Sequence, residues 1–182
     1  LHGLDRPFLV QYLAWLQHAI QGDLSKSLLT SEPVLDSILR SFPHTMTIVL
    51  GALVLSVAVG LPLGIAAATR AGSWIDDFVT GLAALGVAVP NFWLAMLLVS
   101  CLALGLRWFP ATGAVSFGED ASVALWHAVL PSIALAAGGV AEVARQVRSA
   151  LVEVLASQYV RTLRAKGLSA PAITYRHGLK NI

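Results

Sequence analysis

The stretch that decides the fold is Ser41–Thr69, SFPHTMTIVLGALVLSVAVGLPLGIAAAT, which contains no charged side chain. A helix needs about 20 apolar residues, at about 1.5 Å rise each, to cross the hydrocarbon core of a bilayer. Two further uncharged runs of sufficient length follow, Phe78–Leu106 and Ala121–Ala141. None alternates as a barrel strand would. Backbone groups in hydrocarbon must find partners within their own segment, so each run is expected to be helical. The expected fold class is therefore all-α, a polytopic transmembrane helix bundle with three spans at about 44–69, 78–106 and 121–147. Trp74, Trp108 and Trp126 fall at the ends of these spans, where indole rings anchor at the interface.

The whole 182-residue composition agrees, with 57% hydrophobic and 12% charged residues, against about 25% charged in soluble domains. That balance excludes an ordinary soluble domain, a disordered tail and a basic nucleic-acid module. The absence of an initiator Met and of a cleavable signal pattern suggests a piece of a longer chain, with an earlier span upstream. The lone Cys101 lies in an apolar run and reads as a small apolar side chain.

Charge is unevenly placed. Residues 1–139 hold five Lys/Arg against eight acids, a balance of −3, whereas 140–182 hold seven against two, a balance of +5. Placing the C-terminal end in the cytoplasm puts Arg70, Arg145, Arg148, Arg161, Arg164, Lys166, Arg176 and Lys180 inside, with Arg6, Lys26, Arg40 and Arg107 outside. Residues 1–43 then form an extracytoplasmic segment of two short amphipathic helices. Leu9, Leu13, Leu16 and Ile20 mark the first, closed by Gly22-Asp23. Val34, Leu35, Ile38, Leu39 and Phe42 mark the second, opened by Pro33. Pro62, Pro90 and Pro131 lie in or near the spans and are expected to kink them, Pro90 most of all because it stands near the middle of its run.

The cytoplasmic segment 151–182 is the most informative. Leu151, Leu155, Val160 and Leu163 continue a helical apolar stripe beyond the third span. Gly167 fits the left-handed position that ends a helix, with Leu163 and Leu168 as the accompanying apolar pair. Ser169 can cap a following helix with Pro171 in its first turn. The pattern predicts a rigid basic elbow. It suits either contact with anionic lipid or docking into a protein partner.

Several chemistries have no signature. There is no phosphate-binding Gly-rich loop, no nucleophile elbow, and no metal-ligand spacing among His2, His18, His44, His127 and His177. Neither cofactor nor metal is expected. Glu142 and Arg145, three residues apart, read as a snorkelled pair in preference to a proton relay.

The run Tyr159-Val160-Arg161-Thr162-Leu163-Arg164-Ala165-Lys166-Gly167-Leu168-Ser169, followed by Arg176-His177-Gly178-Leu179-Lys180-Asn181, resembles the cytoplasmic EAA loop of permeases in bacterial binding-protein-dependent ABC importers. Gly22-Asp23, Pro33-Val34, Gly60-Leu61-Pro62-Leu63-Gly64, Pro90-Asn91-Phe92-Trp93, Phe109-Pro110-Ala111-Thr112-Gly113 and Leu130-Pro131 fall in the order of the B-type permease in the dipeptide, oligopeptide and nickel branch. The resemblance implies a non-enzymatic subunit of the bacterial inner membrane, forming half of a pathway for peptides or a related small solute. It further implies separate ABC ATPase subunits, a second permease subunit and an extracytoplasmic solute-binding protein as partners, besides membrane lipid. Carried over, Gly167 is the corner of a coupling elbow, with Tyr159, Arg161, Ala165, Lys166, Ser169 and His177 around an ATPase-docking surface. Leu163 stands where many relatives have a small residue, which bears on how closely the elbow packs. A secondary transporter driven by ion gradients is the alternative; it calls for inverted repeats and discontinuous helices, which the sequence does not display.

Overall fold

The computed structural model describes residues 7–115, 117–118 and 120–182, so the expectations resting on His2 and Arg6 lie outside the described residues. Among these residues the regular structure is helical: α1 (Phe8–Ile20), α2 (Val34–Thr69), α3 (Trp74–Ala88), α4 (Asn91–Leu98) continued by a π-helical stretch (Val99–Gly105), α5 (Ala121–Ala156), α6 (Gln158–Ala165) and α7 (Ala170–Ala172). A π-helical turn, Ile173–Gly178, and a 3-10 turn, Leu179–Asn181, complete the chain. It divides into two compact units, 1–46 and 47–182.

In the first unit, α1 ends where Gly22 turns at φ 85°. The Asp23 carboxylate accepts the Ser25 N–H at 2.9 Å, and Arg40 pairs with Glu32 at 3.1 Å. No residue of α1 is buried, and Leu9, Leu13 and Ile20 of its apolar stripe are exposed. The second amphipathic helix is not a separate element. The stripe from Val34 belongs to α2, which runs unbroken through Pro43 to Thr69, so the boundary expected at 43/44 falls inside a helix. Pro43 fixes a helical φ and need not end a helix whose apolar run continues beyond it.

The second unit is built on α5. Ser132 Oγ donates to the Ile48 carbonyl at 3.1 Å, and Leu151 packs with Ile65 and Ala68. Between these levels the two helices approach on glycine. A Cβ on Gly60 would stand 2.9 Å from the Val140 carbonyl oxygen, and one on Gly64 would stand 2.7 Å from that of Ala144. Positions 48, 60, 64 and 65 of α2 thus meet 132, 140, 144 and 151 of α5, so the two helices run parallel. Without a hydrophobic drive between helices in lipid, such close backbone approach supplies much of the association through van der Waals packing.

Two parallel helices require the chain to return between them, and α3 begins that return. Asp76 meets Arg148, Val79 packs with Ala67 and Ala144, and Gly86 lies against Ala137 and Ala141, so α3 is antiparallel to α5. The return ends where Phe109 stacks on Trp126 with ring centroids 4.6 Å apart. The traversal is not one rod. At Val89-Pro90 the chain turns by 98° between Trp74–Ala88 and Asn91–Gly105, a break where a kink was expected. Pro90, with φ −63° and ψ 133°, stands outside both helices. Pro62 and Pro131 behave differently: each lies within an unbroken helix, α2 and α5.

α2 and α5 are each long and apolar enough to cross a membrane, and the bent pair is a third candidate. The bounds differ from the uncharged runs. α3 starts at Trp74 and carries Asp76 and Asp77 in its first turn, where negative charge suits the helix dipole. α5 extends to Ala156 instead of 147. Its start is fixed by Asp120, whose carboxylate accepts the N–H groups of Ser122 and Val123 at 2.9 and 3.1 Å.

Candidate functional site

The elbow begins with a break that the apolar stripe was expected to pass over. α5 ends at Ala156 because Ser157 adopts φ −69° and ψ 157° and becomes the N-cap of α6, its hydroxyl accepting from the Val160 N–H at 3.4 Å. A sign of this stood in the sequence. Leu151 to Leu155 is a helical step of four, but Leu155 to Val160 is a step of five, which carries the apolar position off the face.

α6 is amphipathic. Val160 and Leu163 are buried with Ile173, and Val154, Leu155 and Leu168 pack around them. Its end is the Schellman motif expected at Gly167. Gly167 takes φ 80°, its N–H donates to the Arg164 carbonyl at 2.9 Å, and the Leu168 N–H donates to the Leu163 carbonyl at 3.2 Å. Leu163 therefore belongs to the inner packing of the elbow, and its bulk fills the angle between α6 and the π-helical turn. Ser169 occupies the N-cap position of α7 with no side-chain cap bond; its carbonyl accepts from the Ile173 N–H at 3.0 Å.

The π-helical turn brings the chain back onto α5, where a Cβ on Gly178 would stand 2.9 Å from a Leu151 methyl. It also brings His177 to Tyr159, Nδ1 to phenol oxygen 3.1 Å, with the rings edge-on at 6.2 Å between centroids. Two of the expected docking residues, 18 positions apart, thus form one cross-brace over the corner. Tyr159, Arg161, Ala165, Lys166, Gly167 and Ser169 are all exposed, and His177 is half-buried. The exposed surface of the elbow is strongly basic. Among the described residues no carboxylate pairs with Arg161, Arg164, Lys166, Arg176 or Lys180.

Below the elbow is an ion pair that charge counting did not reveal. Arg148 binds Asp76 with both arms of its guanidinium, Nε to Oδ1 and a terminal nitrogen to Oδ2 at 2.7 Å, and the Gly72 N–H donates to Oδ2 at 2.9 Å. The Asp76 side chain is 4% exposed and that of Arg148 35%. The pair fastens the start of α3 to the stem that carries the elbow. Nothing local links positions 72 apart. Glu142 and Arg145 form the expected i,i+3 pair, with Gln146 also donating to Glu142 at 2.6 Å. Among the described residues no cluster of His, Cys, Asp and Glu could hold a metal.

Residues 60–182 match a protein family described as binding-protein-dependent transport system inner membrane component. Over 99% of its length the chain is 34% identical to the oligopeptide transport system permease protein AppB of Bacillus subtilis (strain 168), covering 58% of that protein. Over 98% of its length it is 38% identical to a putative peptide transport system permease protein of Brucella abortus (strain 2308), covering 57%. It is 36% identical, again over 98%, to the glutathione transport system permease protein GsiC of Salmonella paratyphi A, covering 56%. The chain thus spans little more than half the length of these curated relatives.

Proposed function

Since the chain belongs to the family of inner-membrane components of binding-protein-dependent transport systems, we propose that it serves as a permease subunit of an ATP-driven importer for peptides or a related small solute. In this reading it makes half of the pathway beside a second permease subunit, a binding protein delivers the solute, and separate ATPase subunits supply the energy. The names of the relatives support the solute class, as oligopeptide, peptide and glutathione permeases.

The observation that carries the coupling role is the corner at Gly167: a left-handed residue closing α6, two hydrogen bonds across it, and a buried Val160–Leu163–Ile173 core beneath. A joint that transmits closure of an ATPase must move as a body instead of melting. Tyr159, Arg161, Ala165, Lys166, Gly167, Ser169 and His177 form its docking surface, and the elbow lies in the cytoplasm, with residues 1–43 on the other side. Supporting that orientation is the excess of Lys/Arg at the elbow end. Co-purification of the protein with its ATPase, with and without Gly167→Pro, tests the proposal. Loss of the ATPase with retained membrane insertion is expected; unchanged association and ATP-dependent uptake would overturn the coupling role.

The broken helix at Pro90 is of a kind that secondary transporters use, and it favours the alternative on that one point. However, the break itself, Val89-Pro90, carries no ionisable group, and Asn91 is the first polar residue after it. Uptake that persists without ATP and collapses with the proton gradient would favour the ion-driven reading.

A further inference from the structure

A cavity of about 390 Å³ opens between the end of α2 and the inner side of the elbow. Its lining changes character along its length. Pro62, Ile65, Leu155 and Ile173 make an apolar portion, whereas Thr69, Arg70, Arg164 and Tyr175 bring polar groups. No carboxylate lines it, and neither arginine has an ion-pair partner among the described residues. Arg70 and Arg164 come from elements 94 positions apart, so the fold and not local sequence places two like charges on one concavity.

The position along α2 is equally informative. Arg70 is the first charge after the uncharged run that starts at Ser41, so it marks where the apolar helix leaves hydrocarbon. Pro62 lies eight residues earlier, about 12 Å deeper along a helix. Along α2 the cavity therefore runs from a cationic mouth at Arg70, where the uncharged run ends, to an apolar wall at Pro62 within that run, with Arg164, Leu155 and Ile173 facing it from the elbow. An anion alone would meet only the mouth, and an uncharged acyl chain only the wall. A molecule with a phosphate at one end and a hydrocarbon tail at the other meets both.

We propose that this cavity is a binding site for an anionic phospholipid, its phosphate held between Arg70 and Arg164 and one acyl chain laid against Pro62, Ile65 and Leu155. The lipid would lie between the end of α2 and the elbow, in a cavity that neither Tyr159 nor Lys166 lines. The site needs only that the helices be in a membrane, so it can fail without harm to the proposed ATPase coupling, and the reverse also holds.

The test uses the purified protein in nanodiscs containing either phosphatidylcholine alone or phosphatidylcholine with phosphatidylglycerol, reading lipid retention by native mass spectrometry and Tm by intrinsic fluorescence. A basic residue near an anionic surface is worth about fivefold in partitioning. Retention of phosphatidylglycerol over phosphatidylcholine is thus expected to fall about tenfold or more in Arg70→Gln/Arg164→Gln. Arg70→Lys/Arg164→Lys, which keeps the charge, should recover part of it, and Arg107→Gln, at a position that lines no part of the cavity, should leave the preference unchanged. If the double Gln variant does not fold, the wild-type protein still decides, through a phosphatidylglycerol-dependent rise in Tm that inorganic phosphate does not reproduce. Equal retention of the two lipids by the wild type, undiminished preference in a folded Gln variant, or full reproduction by inorganic phosphate would each overturn the proposal.

Discussion

At the scale of single residues the clearest case is Gly167. Nothing lies within 4 Å of the place its Cβ would occupy, so a substitution there meets only the cost of its φ of 80°. For Ala that cost is roughly 1–2 kcal/mol, and Asn tolerates the left-handed region better. Pro cannot adopt the angle and also removes the N–H that donates to Arg164. ATPase co-purification is therefore expected to decline in the order Gly, Asn, Ala, Pro; equal yields for Ala and Pro would contradict it. Asp76 and Arg148 are the opposite kind of position. Removing Arg148 leaves the buried Asp76 carboxylate without its partner, so Arg148→Met should lower Tm far more than the exposed-charge change Arg107→Gln, and Asp76→Leu/Arg148→Met should regain much of the loss. A third residue gives a pH dependence. The Ser122 hydroxyl, then the N–H groups of Val123 and Ser122, hold the Asp120 carboxyl below its ordinary value. Its contribution is complete above the unfolded-state value and disappears as pH falls through the lowered, folded one. Asp120→Asn should flatten the acid limb of the Tm–pH curve, and superimposable limbs would refute it. Gly167 was legible in the sequence because its cap is local, with Leu163 and Leu168 on either side. The Asp76–Arg148 pair was not, since only tertiary packing joins them.

At the scale of elements, the uncharged runs marked where helices lie but not where they end. A charge-free window cannot include the first turn of α3, because Asp76 and Asp77 are favoured there by the dipole and Asp76 is satisfied by an arginine on another helix. Likewise the stripe after Leu151 was read as continuous, although the step of five from Leu155 to Val160 is incompatible with one helical face. Gly60 and Gly64 show a motif whose partner was hidden. Their spacing is that of close helix association, and the structure supplies the opposing surface, the carbonyls of Val140 and Ala144 with the Val143 and Val147 side chains. Because backbone cannot move aside as a side-chain tip can, Gly64→Val should destabilise α2 against α5 by about 1–3 kcal/mol. Gly81 has open space around its Cβ position, so Gly81→Val is the matched control. Melting in detergent should separate the two, and equal Tm values would show that the close approach contributes nothing.

For the whole molecule, the parallel course of α2 and α5 decides more than hydropathy can. Two parallel helices joined by a return segment place residue 47 and the elbow at opposite ends of the packed unit, whether or not the 98° turn at Pro90 makes the return irregular. Counting apolar runs predicts three spans; the structure has two helices long enough to cross and the bent pair as the third candidate, uncharged from Phe78 to Leu106. Such counting misses the shape of the return, since one proline can either be absorbed in a helix, as Pro62 and Pro131 are, or end it, and only neighbouring packing distinguishes the outcomes. Which end faces the cytoplasm is a matter of charge bias, and it can be read chemically. Cys101 is the single cysteine, so Cys101→Ala provides a background in which Lys26→Cys and Lys180→Cys report the two ends separately. An impermeant maleimide added to right-side-out vesicles should label Lys26→Cys and spare Lys180→Cys, and inverted vesicles should reverse the pattern. The reverse assignment would overturn the orientation and leave the fold standing. Labelling of both positions from the same side would instead mean an even number of crossings between them and would overturn the three-span reading.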